Sequence, residues 1–136
     1  MIKPDNIKHH WQWVRPLLER LHDRDVERGV PDWLPEDVYA DCVHGKAFFY
    51  LASGGFVVLK EGRNPATDAK SLIVWMACAN DPSKTDNIAE NAASIRDLAQ
   101  SIGADQVEFY TTRKGYERVI GQFGYRFAHA KYVMEV

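Results

Sequence analysis

Residues 71–79 read Ser-Leu-Ile-Val-Trp-Met-Ala-Cys-Ala, with no charge, no glycine and no proline. The run has strand length, and an unbroken apolar stretch, in place of alternation, marks a central strand covered on both faces. Asn80-Asp81-Pro82-Ser83 ends it. Asp86 or Asn87 then caps a helix in which Ile88, Ala92, Ile95, Leu98, Ala99 and Ile102 share one stripe, and Gly103 stops it. A second β-rich stretch, 107–112, comes next. Strand, helix and strand in this order require a crossover connection and a parallel or near-parallel pair of strands.

The sequence on either side fills in the rest. Between Ile7 and Glu27, Trp11, Trp13 or Val14, Leu17, Leu18 and Leu21 recur at helical spacing; Pro16 kinks this helix or opens a new first turn. Pro35-Glu36-Asp37 starts a shorter helix that stops at Gly45. Two β-rich runs, 47–52 and 56–60, flank Ser53-Gly54-Gly55, a strong hairpin signal. Residues 61–70 read as a polar surface loop. After residue 112 come a short helix opened by Gly115-Tyr116, a Gly124-Tyr125 break and a closing strand over 131–136, whose exposed edge offers a pairing surface for a homodimer.

At 136 residues without a linker or repeat, the chain reads as a single domain over 1–136. Seventeen basic residues against nineteen acidic ones give a net charge of -2, which offers no long-range attraction to nucleic acid or an anionic membrane. No stretch approaches the roughly 18 apolar residues of a membrane span, and no signal peptide is visible. Cys42 and Cys78 are expected as buried, reduced thiols in a cytoplasmic setting. The histidines His9, His10 and His22 sit too far apart along one helix to share a metal ion, so no metal site is expected.

With its strand, short helix, Gly-aromatic turn and final strand, the stretch 107–136 resembles the C-terminal half of the GNAT acetyltransferase fold. The element order of most of the chain is similar to that family. The segment Arg113-Lys114-Gly115-Tyr116-Glu117-Arg118 is most similar to the small GNAT-like proteins encoded by tailed phages. The resemblance implies an α/β fold of the mixed α+β kind: a central, mixed, mostly antiparallel sheet with helices on both faces. It also implies acetyl-CoA as cofactor if the protein is enzymatic. The cofactor would then meet Ala79, Ser83, Lys84, Thr85 and Arg113, with Glu108 as base and Tyr116 as acid toward a small amine.

Two departures from the family pattern bear on activity. The loop that cradles pyrophosphate in the family is glycine-rich, because backbone N–H groups must approach the phosphates closely. Residues 80–87 hold no glycine, and Asp81 and Asp86 repel phosphate. Four residues before Gly124, where the family places its tyrosine acid, stands Ile120; Tyr116 lies one turn earlier. These departures favour a degenerate phage or prophage scaffold, binding an unknown protein partner in the cytoplasm or on a virion. The alternative is an active N-acetyltransferase. Trp11, Trp13 and Trp33 are candidates for an exposed partner surface, with Trp13 in the core and Trp11 outside it.

Overall fold

The computed structural model describes residues 2–27, 32–80, 87–110, 121–128 and 130–136. Five strands form one sheet in sequence order: β1 (Lys3–Pro4), β2 (Phe48–Ala52), β3 (Gly55–Arg63), β4 (Lys70–Ala79) and β5 (Gln106–Phe109). Strands β1 to β4 are antiparallel neighbours, whereas β4 and β5 are parallel, joined through the crossover helix α3 (Asn87–Ser101). Helices α1 (Trp11–Glu27) and α2 (Pro35–Val43) cover the opposite face. The mixed, mostly antiparallel sheet with helices on both faces is the architecture that the sequence implies.

Alternation along the strands divides the core in two. On the α1/α2 face, Phe49, Phe56, Val58 and Met76 pack with Val14, Leu18 and Val38. On the other, Val57, Leu59, Leu72 and Val74 meet Ile95 and Ala99 of α3. Strand β4 changes phase midway, since Val58 pairs with Met76 but Leu59 pairs with Val74. Trp75 is the extra residue of a β-bulge. It lets Leu72 and Val74 face α3 while Met76 and Cys78 face α1 and α2.

Local chemistry fixes the ends of these elements. Pro35 sits in the first turn of α2, and the Asp37 carboxylate accepts the Leu34 N–H at 3.0 Å, occupying a donor the helix leaves unpaired. Gly45, at φ 75°, turns the chain out of α2. In the β2–β3 hairpin, Gly54 has φ 76°, the second central position that a type II turn reserves for glycine. Asn91 of α3 clasps this turn, accepting the Ser53 N–H and donating to its carbonyl, both at 3.3 Å.

Several sequence expectations are corrected. The first helix is preceded by a separate 3-10 turn, Ile7–His9, and runs through Pro16 as one helix. The loop predicted over 61–70 shrinks to 64–69, because Glu61, Gly62 and Arg63 pair with Leu72, Ser71 and Lys70. Trp11 does join the core boundary, against Tyr39 of α2 at 4.7 Å. Trp33 is buried, its indole donating to Asp25, so the three tryptophans form no exposed patch. Both cysteines are half-buried, not buried. The short N-terminal strand β1 escaped the sequence reading. Residues 131–136 form no strand, and Tyr132, Val133, Met134 and Val136 are exposed. Among the described residues no helix is long and apolar enough to cross a membrane.

Candidate active site

The parallel ladder between β4 and β5 is short. It runs from Ser71↔Gln106 to Val74↔Phe109 and ends where the Trp75 bulge begins. A bulge bends its strand and sharpens the twist, so β4 turns away from β5 at that point. From Met76 to Ala79, β4 remains paired to β3 but has no partner on its β5 side among the described residues. The two strands therefore open like a fork, with Ala77 and Ala79 exposed along the open prong.

Glu108 lies one pair before the fork, opposite Ile73. Val107 and Phe109 join the α3-side core, so Glu108 and its alternating neighbours Gln106 and Tyr110 belong to the α1/α2 side. Among the described residues, three donors converge on its carboxylate. Gln106 Nε2 and Ser71 Oγ reach Oε1 at 3.0 and 3.3 Å, and the Tyr110 hydroxyl reaches Oε2 at 3.1 Å. Gln106 also donates to Ser71 Oγ at 2.9 Å, which closes the cluster. Partial desolvation, the Glu108 charge and the hydrogen bond to it raise the Tyr110 phenol above the usual tyrosine value. At neutral pH Tyr110 is therefore a hydroxyl donor.

Beside this cluster, Lys60 of β3 stands over the Trp75 ring, 3.3 Å from its centroid, and pairs with Asp41 of α2 at 3.1 Å. The bulge thus delivers an indole to the floor of the α1/α2 face, and a cation ties that floor to α2. A separate groove of about 340 Å³ lies at the other edge of the sheet, between β1, α2 and β2, and includes Asp5, Cys42 and Phe48. It offers no nucleophile. Burial, helped by Asp41 and opposed by Lys60, pushes the Cys42 thiol up to about 11.

Of the residues singled out from the sequence, Glu108 stands at the fork and Ala79 is the exposed last residue of β4. Tyr116, Ser83, Lys84, Thr85 and Arg113 lie outside the described residues, as do Ile120 and the Gly115 helix start. Sequence reasoning missed Ser71, Gln106 and Tyr110. The signal was present in the alternation Gln106, Glu108, Tyr110, which puts three polar side chains on one face of β5. Their convergence with Ser71 needed the parallel register. His10 is held between Asp5, at 3.2 Å, and the Trp13 indole, which donates to its Nδ1. Among the described residues no group of three potential ligands is placed to hold a metal.

No protein-family profile and no curated protein matches this sequence. Solved structures do match by shape. A probable acetyltransferase superposes with a TM-score of 0.72 at 15% identity, over 100% of this chain and 98% of its own. Glucosamine-6-phosphate N-acetyltransferase from Arabidopsis thaliana gives 0.67 at 9% identity, covering 99% and 97%. Ribosomal-protein-alanine N-acetyltransferase from Brucella melitensis biovar Abortus 2308 gives 0.67 at 14%, covering 100% and 99%. At such low identity the likeness is one of fold, that of GNAT acetyltransferases.

Proposed function

We propose that the chain is an acetyl-CoA-dependent N-acetyltransferase in which Glu108 takes the proton of an acceptor amine. The observation that carries this reading is the Glu108 carboxylate, held by three donors where the parallel ladder opens. The fork itself fits the cofactor. Unpaired backbone groups on the open side of β4 suit an extended, amide-bearing arm, and the small side chains of Ala77 and Ala79 leave it room. Ala79 would line that arm, and Ser83, Lys84, Thr85 and Arg113 would serve its phosphates. When bound, acetyl-CoA supplies an activated acyl group.

The chain's own residues do the rest. An ammonium cannot attack a carbonyl, so the acceptor must lose a proton at or before attack. Glu108 faces the α1/α2 side, from which an acceptor would approach, and among the described residues only Tyr110 binds Oε2, which leaves room for that proton. Tyr110 holds the carboxylate in place and keeps its own proton at neutral pH. Tyr116 remains the candidate for returning a proton to the leaving thiolate.

A second reading, the degenerate scaffold, is favoured by one feature of the sequence: the glycine-free stretch from Asn80 to Asn87, with its two aspartates. Thermal-shift titration with acetyl-CoA separates the two. Ligand at a hundred times its dissociation constant stabilises the fold by about 2.7 kcal/mol, a rise on the order of 10 °C for a chain of this length. A saturating rise, with thiol release on adding primary amines, is the expected result. A flat melting temperature at millimolar cofactor would reject the enzyme in favour of the scaffold.

A further inference from the structure

We propose that the acceptor is a small amino acid, whose ammonium meets Glu108 while its carboxylate meets Lys60. This names the substrate class of the acetyl transfer proposed above and rests on that reading. The sheet register carries the inference. Lys60 of β3 pairs with Ile73 of β4, and Ile73 pairs with Glu108 of β5, so the three form one row across the sheet.

All three side chains stand on the α1/α2 side. Val58 belongs to that face and Leu59 to the other, which returns Lys60 to the first. Leu72 and Val74 face α3, so Ile73 points the opposite way, as Glu108 does. A cation and an anion thus flank an apolar residue that is itself half-buried. Two strand spacings set their Cα atoms about 10 Å apart. Charge-assisted hydrogen bonds of about 2.8 Å at either end leave a gap that the few bonds between the ammonium and the carboxylate of an amino acid can bridge.

Lys60 is prepared for such a ligand. An ammonium carries three N–H donors. Asp41 accepts one at 3.1 Å, and the face of the Trp75 ring, its centroid 3.3 Å away, attracts the charge. Both contacts fix the long stem before a ligand arrives, so less rotamer freedom is lost on binding. With side-chain exposures of 29% and 28%, Lys60 and Asp41 remain within reach of a solute. An acceptor with a second cationic end would be repelled by Lys60, and a neutral one would gain nothing from it. In the transfer, the amine nitrogen bonds to the acetyl carbon as the thioester C–S bond breaks. Of the two protons the ammonium sheds, one passes to Glu108 and on to solvent and the other to the departing thiolate; the carboxylate on Lys60 is unchanged.

Steady-state kinetics and isothermal titration on the full chain test this, with glycine, 3-aminopropanoate and 4-aminobutanoate each set against its primary amide. In at least one pair the acid should show a KM and a dissociation constant about tenfold below those of its amide, the worth of one charge-assisted hydrogen bond. Lys60→Met should erase that preference, and Lys60→Arg, which keeps the charge, should retain most of it. Circular dichroism checks that both variants fold, and the wild-type comparison needs neither. A Lys60 that only braced Trp75 would weaken acid and amide alike on substitution, and that result would overturn the proposal. Wild-type indifference between every acid and its amide would overturn it too. Failure of the underlying reading looks different: acids that bind the wild-type chain but not Lys60→Met, beside a flat melting temperature with acetyl-CoA, would sink acetyl transfer and leave the amino-acid site standing. A saturating acetyl-CoA shift with no preference for any acid would do the reverse.

Discussion

A carboxylate offers about four lone-pair directions, and at Glu108 three are taken by Ser71, Gln106 and Tyr110. Among the described residues none takes the remaining direction, on Oε2, through which an amine proton can arrive. Glu108→Gln keeps the shape and removes the base, so kcat should fall by about 10²–10⁴-fold while the acetyl-CoA thermal shift persists. Tyr110→Phe removes one charge-assisted hydrogen bond to the carboxylate and should cost about tenfold in kcat, read by steady-state kinetics. A second titration belongs to Cys42. Its folded thiol lies near 11 against an ordinary value of 9.0, so the unfolded chain ionises first. Its contribution to stability is whole below pH 9 and is lost as pH rises through about 11. The melting temperature should drop across that window, and Cys42→Ala should flatten the drop in the same scan.

Two glycines of β3 separate backbone constraint from side-chain tolerance. A methyl at Gly55 would land on the Cys78 carbonyl of β4, which its ladder holds in place, whereas at Gly62 it would meet the movable tip of Ile73. Gly55→Ala should therefore destabilise by about 1–3 kcal/mol as an overpacked site does. Gly62→Ala should stay within about 1 kcal/mol, since the strand also gains from losing a flexible glycine. Urea melts of both variants check the contrast. At this scale the sequence was most legible where one residue sets one boundary. Pro35 opens α2 and Gly103 turns the chain at the end of α3, with φ 72°. It was least legible where pairing decides. Glu61-Gly62-Arg63 looks like loop and becomes strand only because Leu72, Ser71 and Lys70 lie opposite.

Over the whole molecule, the two-layered core is anchored on β3 and β4, which pair along the entire length of β3. Their amides should exchange slowest, with β5 and α3 opening earlier because Val107, Phe109, Leu98 and Ile102 at the rim of that side of the core are only half-buried; hydrogen exchange with peptide resolution reads this order directly. The mixed sheet was foreseeable from the apolar run and the helix after it, since a crossover leaves few alternatives. The fork was not, because nothing in Leu-Ile-Val-Trp-Met-Ala marks which residue bulges; the Lys60, Trp75 and Asp41 arrangement exists only once Trp75 is spare. That spare residue means β4 is written in two reading frames. Upstream of Trp75 the even positions Leu72 and Val74 answer to α3, and downstream the even positions Met76 and Cys78 answer to α1 and α2. Removing that one residue would leave Val74 followed directly by Met76, opposite Leu59 and Val58, so every later side chain would keep its helix layer while the indole under Lys60 would be lost.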